Sequence, residues 1–117
     1  MKYIVIKRHK SNYPDPIILE KGEKVKLGQK YDGPEDWPNW LYCYKLDSSK
    51  EGWVPEQNIR KIGEYGIVKE DYTAKELNVE EGEQVEGKTE LNGWIWCRRN
   101  KNCEEGWIPK SNLRENE

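Results

Sequence analysis

The strongest constraint on this chain is an internal duplication written largely in tryptophan. Trp40-Leu41-Tyr42-Cys43, Gly52-Trp53-Val54-Pro55 and Asn58-Ile59-Arg60 recur as Trp94-Ile95-Trp96-Cys97, Gly106-Trp107-Ile108-Pro109 and Asn112-Leu113-Arg114, each at an offset of 54 residues. A single offset across three separate pieces marks a repeated structural unit. Gly22-Glu23-Lys24-Val25 and Gly82-Glu83-Gln84-Val85 carry the repeat further back. The 117 residues therefore divide into two modules, 1–62 and 63–117, each close to the lower size limit for a self-sufficient core.

Such small cores need large side chains. Charged residues make up 36% of the chain and Phe is absent, so the six Trp and seven Tyr must supply much of the buried area, and their number argues against disorder. The net charge of −2 divides unevenly: 12 Lys and Arg against 9 Asp and Glu up to Ile62, and 8 against 13 from Gly63 onward. Opposite signs would help the modules dock, whereas neither half carries the basic stripe that tracks a phosphate backbone. Met1 to Ile6 is too short an apolar run, interrupted by Lys7-Arg8, for a signal peptide, and no run is long enough to span a bilayer. A cytoplasmic location is expected. Cys43 and Cys97 hold equivalent strand positions and read as core thiols, while Cys103 has no counterpart, which is not a disulfide framework.

Along the chain, Tyr3 to Lys7 reads as a strand ended by the polar His9 to Asn12. Tyr13-Pro14-Asp15-Pro16 imposes an extended path, because each proline fixes its own φ and restricts the residue before it. Lys24-Val25-Lys26-Leu27 alternates as a half-buried strand should. Fourteen residues separate Val25 from Trp40 but only eight separate Val85 from Trp94, so the first repeat carries a six-residue insertion within Tyr31 to Asn39, a loop bearing Trp37. Alternation puts Leu41, Cys43 and Val54 on a core face with Ile95, Cys97 and Ile108 as their equivalents, and turns Trp40, Tyr42, Trp53, Trp94, Trp96 and Trp107 to an aromatic outer face. Asp47 to Lys50 and Asn100 to Asn102 read as hairpin turns. Only Lys61 to Tyr65 is available to connect the modules, which are therefore expected to pack closely, and the charged tail after Arg114 is expected to fray. The fold class is all-β, two compact five-stranded antiparallel barrels with essentially no helix.

The order of these pieces resembles Src homology 3 (SH3) domains, in a tandem of the variant type found in bacterial proteins. In the second repeat the likeness rests on Val68-Lys69-Glu70-Asp71-Tyr72, Glu76-Leu77-Asn78-Val79-Glu80-Glu81-Gly82-Glu83, Trp94-Ile95, Gly106-Trp107-Ile108-Pro109 and Ser111-Asn112-Leu113. The first repeat shares Gly22-Glu23, Trp40 and Gly52-Trp53-Val54-Pro55, with His9-Lys10 at the first-strand motif. The resemblance implies two small SH3-like barrels in tandem, the first with a long loop insertion. It also implies a groove tryptophan at Trp94 and Trp40 and a groove proline at Pro109 and Pro55. Of the family's groove tyrosines Tyr72 is kept, but Glu70 stands in the place of one and Asn58 and Asn112 in the place of another. The acidic cluster that selects an arginine in family ligands is represented by Glu76, Glu80 and Glu81.

These residues imply a non-catalytic binding module that holds an extended protein or peptide segment against loop-side aromatics. Trp94, Tyr72 and Pro109 are expected to form one such surface, and Trp40, Trp37, Tyr13 and Pro55 the other. Two alternatives stand beside it: the rings seal the contact between the modules, with Tyr13-Pro14-Asp15-Pro16 as an internal ligand in one variant, or they bind cell-wall peptides or glycans. Neither nucleic acid nor membrane is an expected partner, and the oligomeric state is open. No cofactor is expected. The single histidine, His9, and three scattered cysteines give neither a nucleophile–base pair nor metal-ligand spacing, so no enzyme is expected and His9 reads as a surface loop residue.

Overall fold

The computed structural model describes residues 1–116. Its strands, in chain order, are β1 (Lys2–Val5), β2 (Ile18–Leu19), β3 (Lys24–Lys30), β4 (Trp40–Lys45), β5 (Glu51–Pro55), β6 (Ile59–Ile62), β7 (Tyr65–Val68), β8 (Tyr72–Thr73), β9 (Gln84–Leu91), β10 (Trp94–Arg99), β11 (Glu105–Pro109) and β12 (Leu113–Glu115). Two single 3-10 turns, Glu56–Asn58 and Lys110–Asn112, follow Pro55 and Pro109, and no α-helix occurs among the described residues.

The strands do not assort by repeat. One five-stranded antiparallel sheet has the order β5-β4-β3-β7-β6, a second β11-β10-β9-β1-β12, and β2 pairs with β8 in a two-stranded sheet. β1, from the first repeat, thus pairs with β9 and β12 of the second, with Ile4 opposite Gln84 and Arg114. β7, from the second repeat, pairs with β3 and β6 of the first, with Ile67 opposite Lys24 and Arg60. The compact units are accordingly Asp15–Ala74 and the combination of Met1–Pro14 with Lys75–Glu117. The repeat boundary between 62 and 63 is not the boundary of either unit: each repeat gives its first strand to the unit built on the other. The registers are equivalent in the two sheets, so the arms exchange without altering the architecture. The exchange also redistributes charge. Asp15–Ala74 holds 9 Lys and Arg against 12 Asp and Glu, and the other unit 11 against 10, so the units still differ in sign, but at −3 and +1 rather than the +3 and −5 counted by repeat.

Each unit has one core. Val5, Leu77, Val79, Val85, Ile95 and Ile108 surround Cys97 in one, and Ile17, Leu19, Val25, Leu41, Val54 and Val68 surround Cys43 in the other. Val5 and Val68 arrive on the exchanged strands, and burial of one such side chain contributes about 2 kcal/mol. The alternation expected for β4, β5, β10 and β11 holds on the core side. On the aromatic side Trp40 and Trp107 are themselves buried, at 6% and 8% exposure, rather than forming a uniformly outer layer. Trp107 is closed in by Trp96, edge-on at 5.3 Å, and by Lys75 and Leu77, whose backbones hydrogen-bond to it at 2.9 and 3.1 Å.

The turns before β3 and β9 hold Gly22 and Gly82 at φ of +87° and +92°, a conformation that disfavours any side chain. Beside each, a carboxylate ties the turn to the end of the next hairpin: Glu23 to Lys45 at 3.3 Å, and Glu83 to Arg99 at 3.0 Å. The first strand is shorter than expected, ending at Val5, because Ile6 turns its N–H to Asn112 O at 2.8 Å. Of the tail expected to fray after Arg114, Glu117 lies outside the described residues, and the rest is held. β12 continues to Glu115, and the Asn116 N–H donates to Lys2 O at 2.9 Å.

Candidate functional site

Trp94 opens β10 directly opposite Pro109, the last residue of β11, and Trp40 stands in the same way opposite Pro55. In both units the proline is buried and begins the 3-10 turn, so a rigid backbone lies behind the indole. The two tryptophans differ in access: Trp94 is half-buried and Trp40 buried.

The residue facing Trp94 comes from the exchanged arm. His9 occupies the place in its unit that Tyr72 holds in the other, each bridging to the equivalent aliphatic residue, Val79 or Leu19. Tyr72 is therefore not in the unit of Trp94 and Pro109, where the repeat order puts it, but in that of Trp40, Trp37 and Pro55. Tyr13 goes the other way, into the unit of Trp94, where it is 42% exposed and its N–H donates to Ser11 Oγ at 3.0 Å. The Tyr72 hydroxyl donates to Trp53 O at 3.1 Å, which fixes the phenol against β5.

His9 is not a loose surface residue. Its ring stands edge-on to Trp94, with centroids 5.5 Å apart and planes at 80°, and its Nε2 lies 2.7 Å from Glu76 Oε1. Both side chains of the pair are about 15% exposed or less. The imidazole braces the indole while the carboxylate fixes the imidazole. The acidic residues that the resemblance offers to a ligand arginine are thus largely engaged within the chain, Glu76 with His9 and Glu80 with Arg8 at 3.2 Å.

Asn112 and Asn58 explain what stands where tyrosines were expected. The Asn112 amide nitrogen donates to Lys7 O at 3.1 Å and to Arg8 O at 3.2 Å. The Asn58 amide nitrogen donates to Glu70 O, and its oxygen accepts from Glu70 N–H, both at 3.0 Å. Glu70 is itself a position where a groove tyrosine was expected. In Asp15–Ala74, then, two missing rings meet in one place, and a side-chain-to-backbone clamp on the exchanged arm replaces the stack. Sequence reasoning missed the clamp, although its signal was present: both repeats carry Asn at the same step after the groove proline.

The insertion loop of the first repeat folds Trp37 onto Tyr31, with ring centroids 5.6 Å apart. Tyr31 stands edge-on to Trp53 at 5.3 Å, and Trp53 meets Tyr42 at 4.9 Å. Trp37 thus extends a run of touching rings in Asp15–Ala74. The Tyr31 hydroxyl donates to Glu35, and that hydrogen bond holds the carboxyl below its ordinary range. Cys43 and Cys97 are core thiols, pushed up to about 12 by burial, which removes them as nucleophiles at neutral pH. Cys103 is exposed, and no group of three or more His, Cys, Asp or Glu suited to a metal ion occurs among the described residues.

A curled five-stranded antiparallel sheet, a turned excursion after its first strand, and a tryptophan set against a proline that leads into a 3-10 turn define a class of small all-β modules, here present twice. The variant SH3 domain family model matches residues 2–62 and again 65–116, and the chain belongs to that family. No curated protein and no solved structure matches it. SH3-type domains are generally non-catalytic binding modules. No helix among the described residues is long and apolar enough to cross a membrane.

Proposed function

We propose that this chain holds an extended protein or peptide segment against the Trp94 face of the unit made of Met1–Pro14 and Lys75–Glu117. The observation that carries the reading is the bracing of Trp94. Its indole keeps part of its surface accessible while the His9 ring packs T-shaped against it and Pro109 lies opposite it across the strand pair. A ring fixed before the ligand arrives loses little conformational freedom on binding, and an extended segment likewise has little left to lose. The ligand stacks on Trp94 and takes its polar contacts from neighbouring backbone.

The Trp40 face supports a second, structural reading. Trp40 is 6% exposed, so its ring contributes to packing more than to a waiting groove. Any binding in that unit falls to Tyr72, Trp37 and Trp53.

The test is a two-dimensional amide NMR titration of the six indole signals with a pool of proline-rich and other extended peptides. The Trp94 indole should shift and that of Trp40 should not. Trp94→Ala should then weaken the binding about tenfold or more, in line with the loss of a central aromatic anchor. Unchanged affinity in a folded Trp94→Ala variant would refute the assignment.

A further inference from the structure

We infer that the exchange of first arms is encoded in the arms themselves: His9 and Ser11, on an arm of net positive charge, act as positioning residues that decide which repeat each arm completes, and so whether His9 or Tyr72 takes the place beside Trp94. The arm 1–14 holds four Lys and Arg and no Asp or Glu, whereas the arm 63–74 holds one Lys against three acidic residues. In the observed arrangement the basic arm lies on 75–117, which has 7 Lys and Arg against 10 Asp and Glu, and the acidic arm lies on 15–62, with 8 against 9. A linear arrangement would instead set the acidic arm on the more acidic remainder.

Specific contacts sharpen this bias. His9 meets Glu76 at 2.7 Å, and the Ser11 N–H donates to Asn78 Oδ1 at 2.7 Å. By the repeat, Glu76 corresponds to Pro16 and Asn78 to Ile18, so in a linear fold the first arm would find neither carboxylate nor amide at those places. Asp71 Oδ1 accepts from the Lys21 N–H at 2.8 Å. The residue corresponding to Lys21 is Glu81, whose own N–H would serve equally, so this bond does not distinguish the copies. The exposed Arg8–Glu80 pair does not distinguish the copies either, because Glu20 stands at the place equivalent to Glu80. The backbone agrees with the side chains. The first arm leaves its unit between Pro14 and Asp15, and Pro14 and Pro16 bracket the crossing, holding it extended where a linear module needs the chain to fold back.

Cysteine pairs in the full chain read the arrangement directly, with Cys103→Ser removing the exposed thiol. Residues 4 and 114 are opposed in the observed sheet, at a Cα separation that suits a disulfide. A linear fold opposes 4 and 60 instead, as the equivalent pair 67 and 60 shows. Ile4→Cys with Arg114→Cys should give a crosslinked monomer on mild oxidation, and Ile4→Cys with Arg60→Cys should not. Exchanging the arm codes, by Arg8→Asp, His9→Tyr, Asp71→Arg and Tyr72→His together, should move crosslinking from the 4–114 pair to the 4–60 pair. The smaller exchange His9→Tyr with Tyr72→His should move the ratio the same way, and serves if the fourfold variant lacks dispersed amide signals. The inference is overturned by a 4–60 crosslink in the unexchanged chain, by a 4–114 crosslink confined to species of twice the mass, or by a folded exchanged variant that keeps the 4–114 crosslink undiminished.

Discussion

Asn112 offers the sharpest check on the clamp, because its oxygen and nitrogen have unequal jobs. Its amide nitrogen donates to two carbonyls of the first arm, Lys7 O and Arg8 O, and the residue is 7% exposed. Each such bond contributes about 1 kcal/mol net, so Asn112→Ala should cost about 2 kcal/mol. Asn112→Asp is nearly isosteric yet should cost more, about 4 kcal/mol, because it aims an acceptor at two acceptors and leaves a carboxylate poorly solvated. For a chain of this length each kcal/mol moves the midpoint by about 4 °C, so thermal unfolding followed by tryptophan fluorescence should fall by about 8 °C for Ala and about 16 °C for Asp. The equivalent Asn58 predicts a different order. Its oxygen accepts from Glu70 N–H while its nitrogen donates to Glu70 O, so Asn58→Asp keeps one bond and should cost only about 1 kcal/mol. Hydrogen exchange locates the damage: in Asn112→Ala the amides of Ile6 and His9 should lose protection before those of β10 and β11. If Asn112→Asp is tolerated as well as Asn112→Ala, or if the two Asp variants cost the same, the clamp is not what holds the arm.

Gly106→Ala should destabilise by about 2 kcal/mol or more in urea, since a Cβ there would lie 2.9 Å from Leu77 N and 3.0 Å from Glu76 C, backbone atoms that cannot step aside. Burial raises the Glu83 pKa, but the Glu80 N–H and the Arg99 guanidinium outweigh it and hold the carboxyl below its ordinary 4.5. The stability it confers is therefore complete above that value and lost as pH falls through the lower folded value, and Glu83→Gln should flatten this acid limb of a urea-midpoint profile. A disulfide reagent at neutral pH should titrate one thiol, Cys103, in the folded protein and three in denaturant, because the Cys43 and Cys97 thiols are buried and pushed up to about 12.

The duplicated text made most of the fold legible. Period-two alternation in Trp40 to Lys45 and in Trp94 to Arg99 identified Leu41, Cys43, Ile95 and Cys97 as core, and both clusters contain them. The Gly-Glu step marked the turns, and the tryptophan–proline pairs marked one end of each unit. The exchange was not legible from the repeat. A duplicated sequence offers each first strand two equivalent acceptors, and Ile4 opposite Gln84 obeys the same hydrophobic pattern as Ile4 opposite Lys24 would. Pattern arguments fix faces and registers, but they cannot choose between copies that share a pattern. The choice lies where the copies differ, at His9, Glu76 and Asn78, and these read as ordinary polar loop residues until their partners are known. The grouping of Tyr72 with Trp94 and of Tyr13 with Trp40 failed for the same reason.

That distinction bears on how binding is divided along the chain. In a linear tandem each repeat would carry its own groove, and divergence within one repeat would change one site alone. Here Trp94 and Pro109 come from the second repeat while the imidazole beside Trp94 comes from the first, and Tyr72, from the second repeat, lies in the unit of Trp40 and Pro55. Replacing His9 alters the Trp94 face from 85 residues away in sequence. A cut at the repeat boundary would therefore leave 63–117 with Trp94 and Pro109 but without the His9 that braces the indole. Binding by that fragment reports the Trp94 face intact only if His9 is dispensable, so adding a 1–14 peptide in trans separates the two contributions. Restored affinity with the basic arm, and none with an Arg8→Asp, His9→Tyr arm, is the outcome that the pairing of His9 with Glu76 requires.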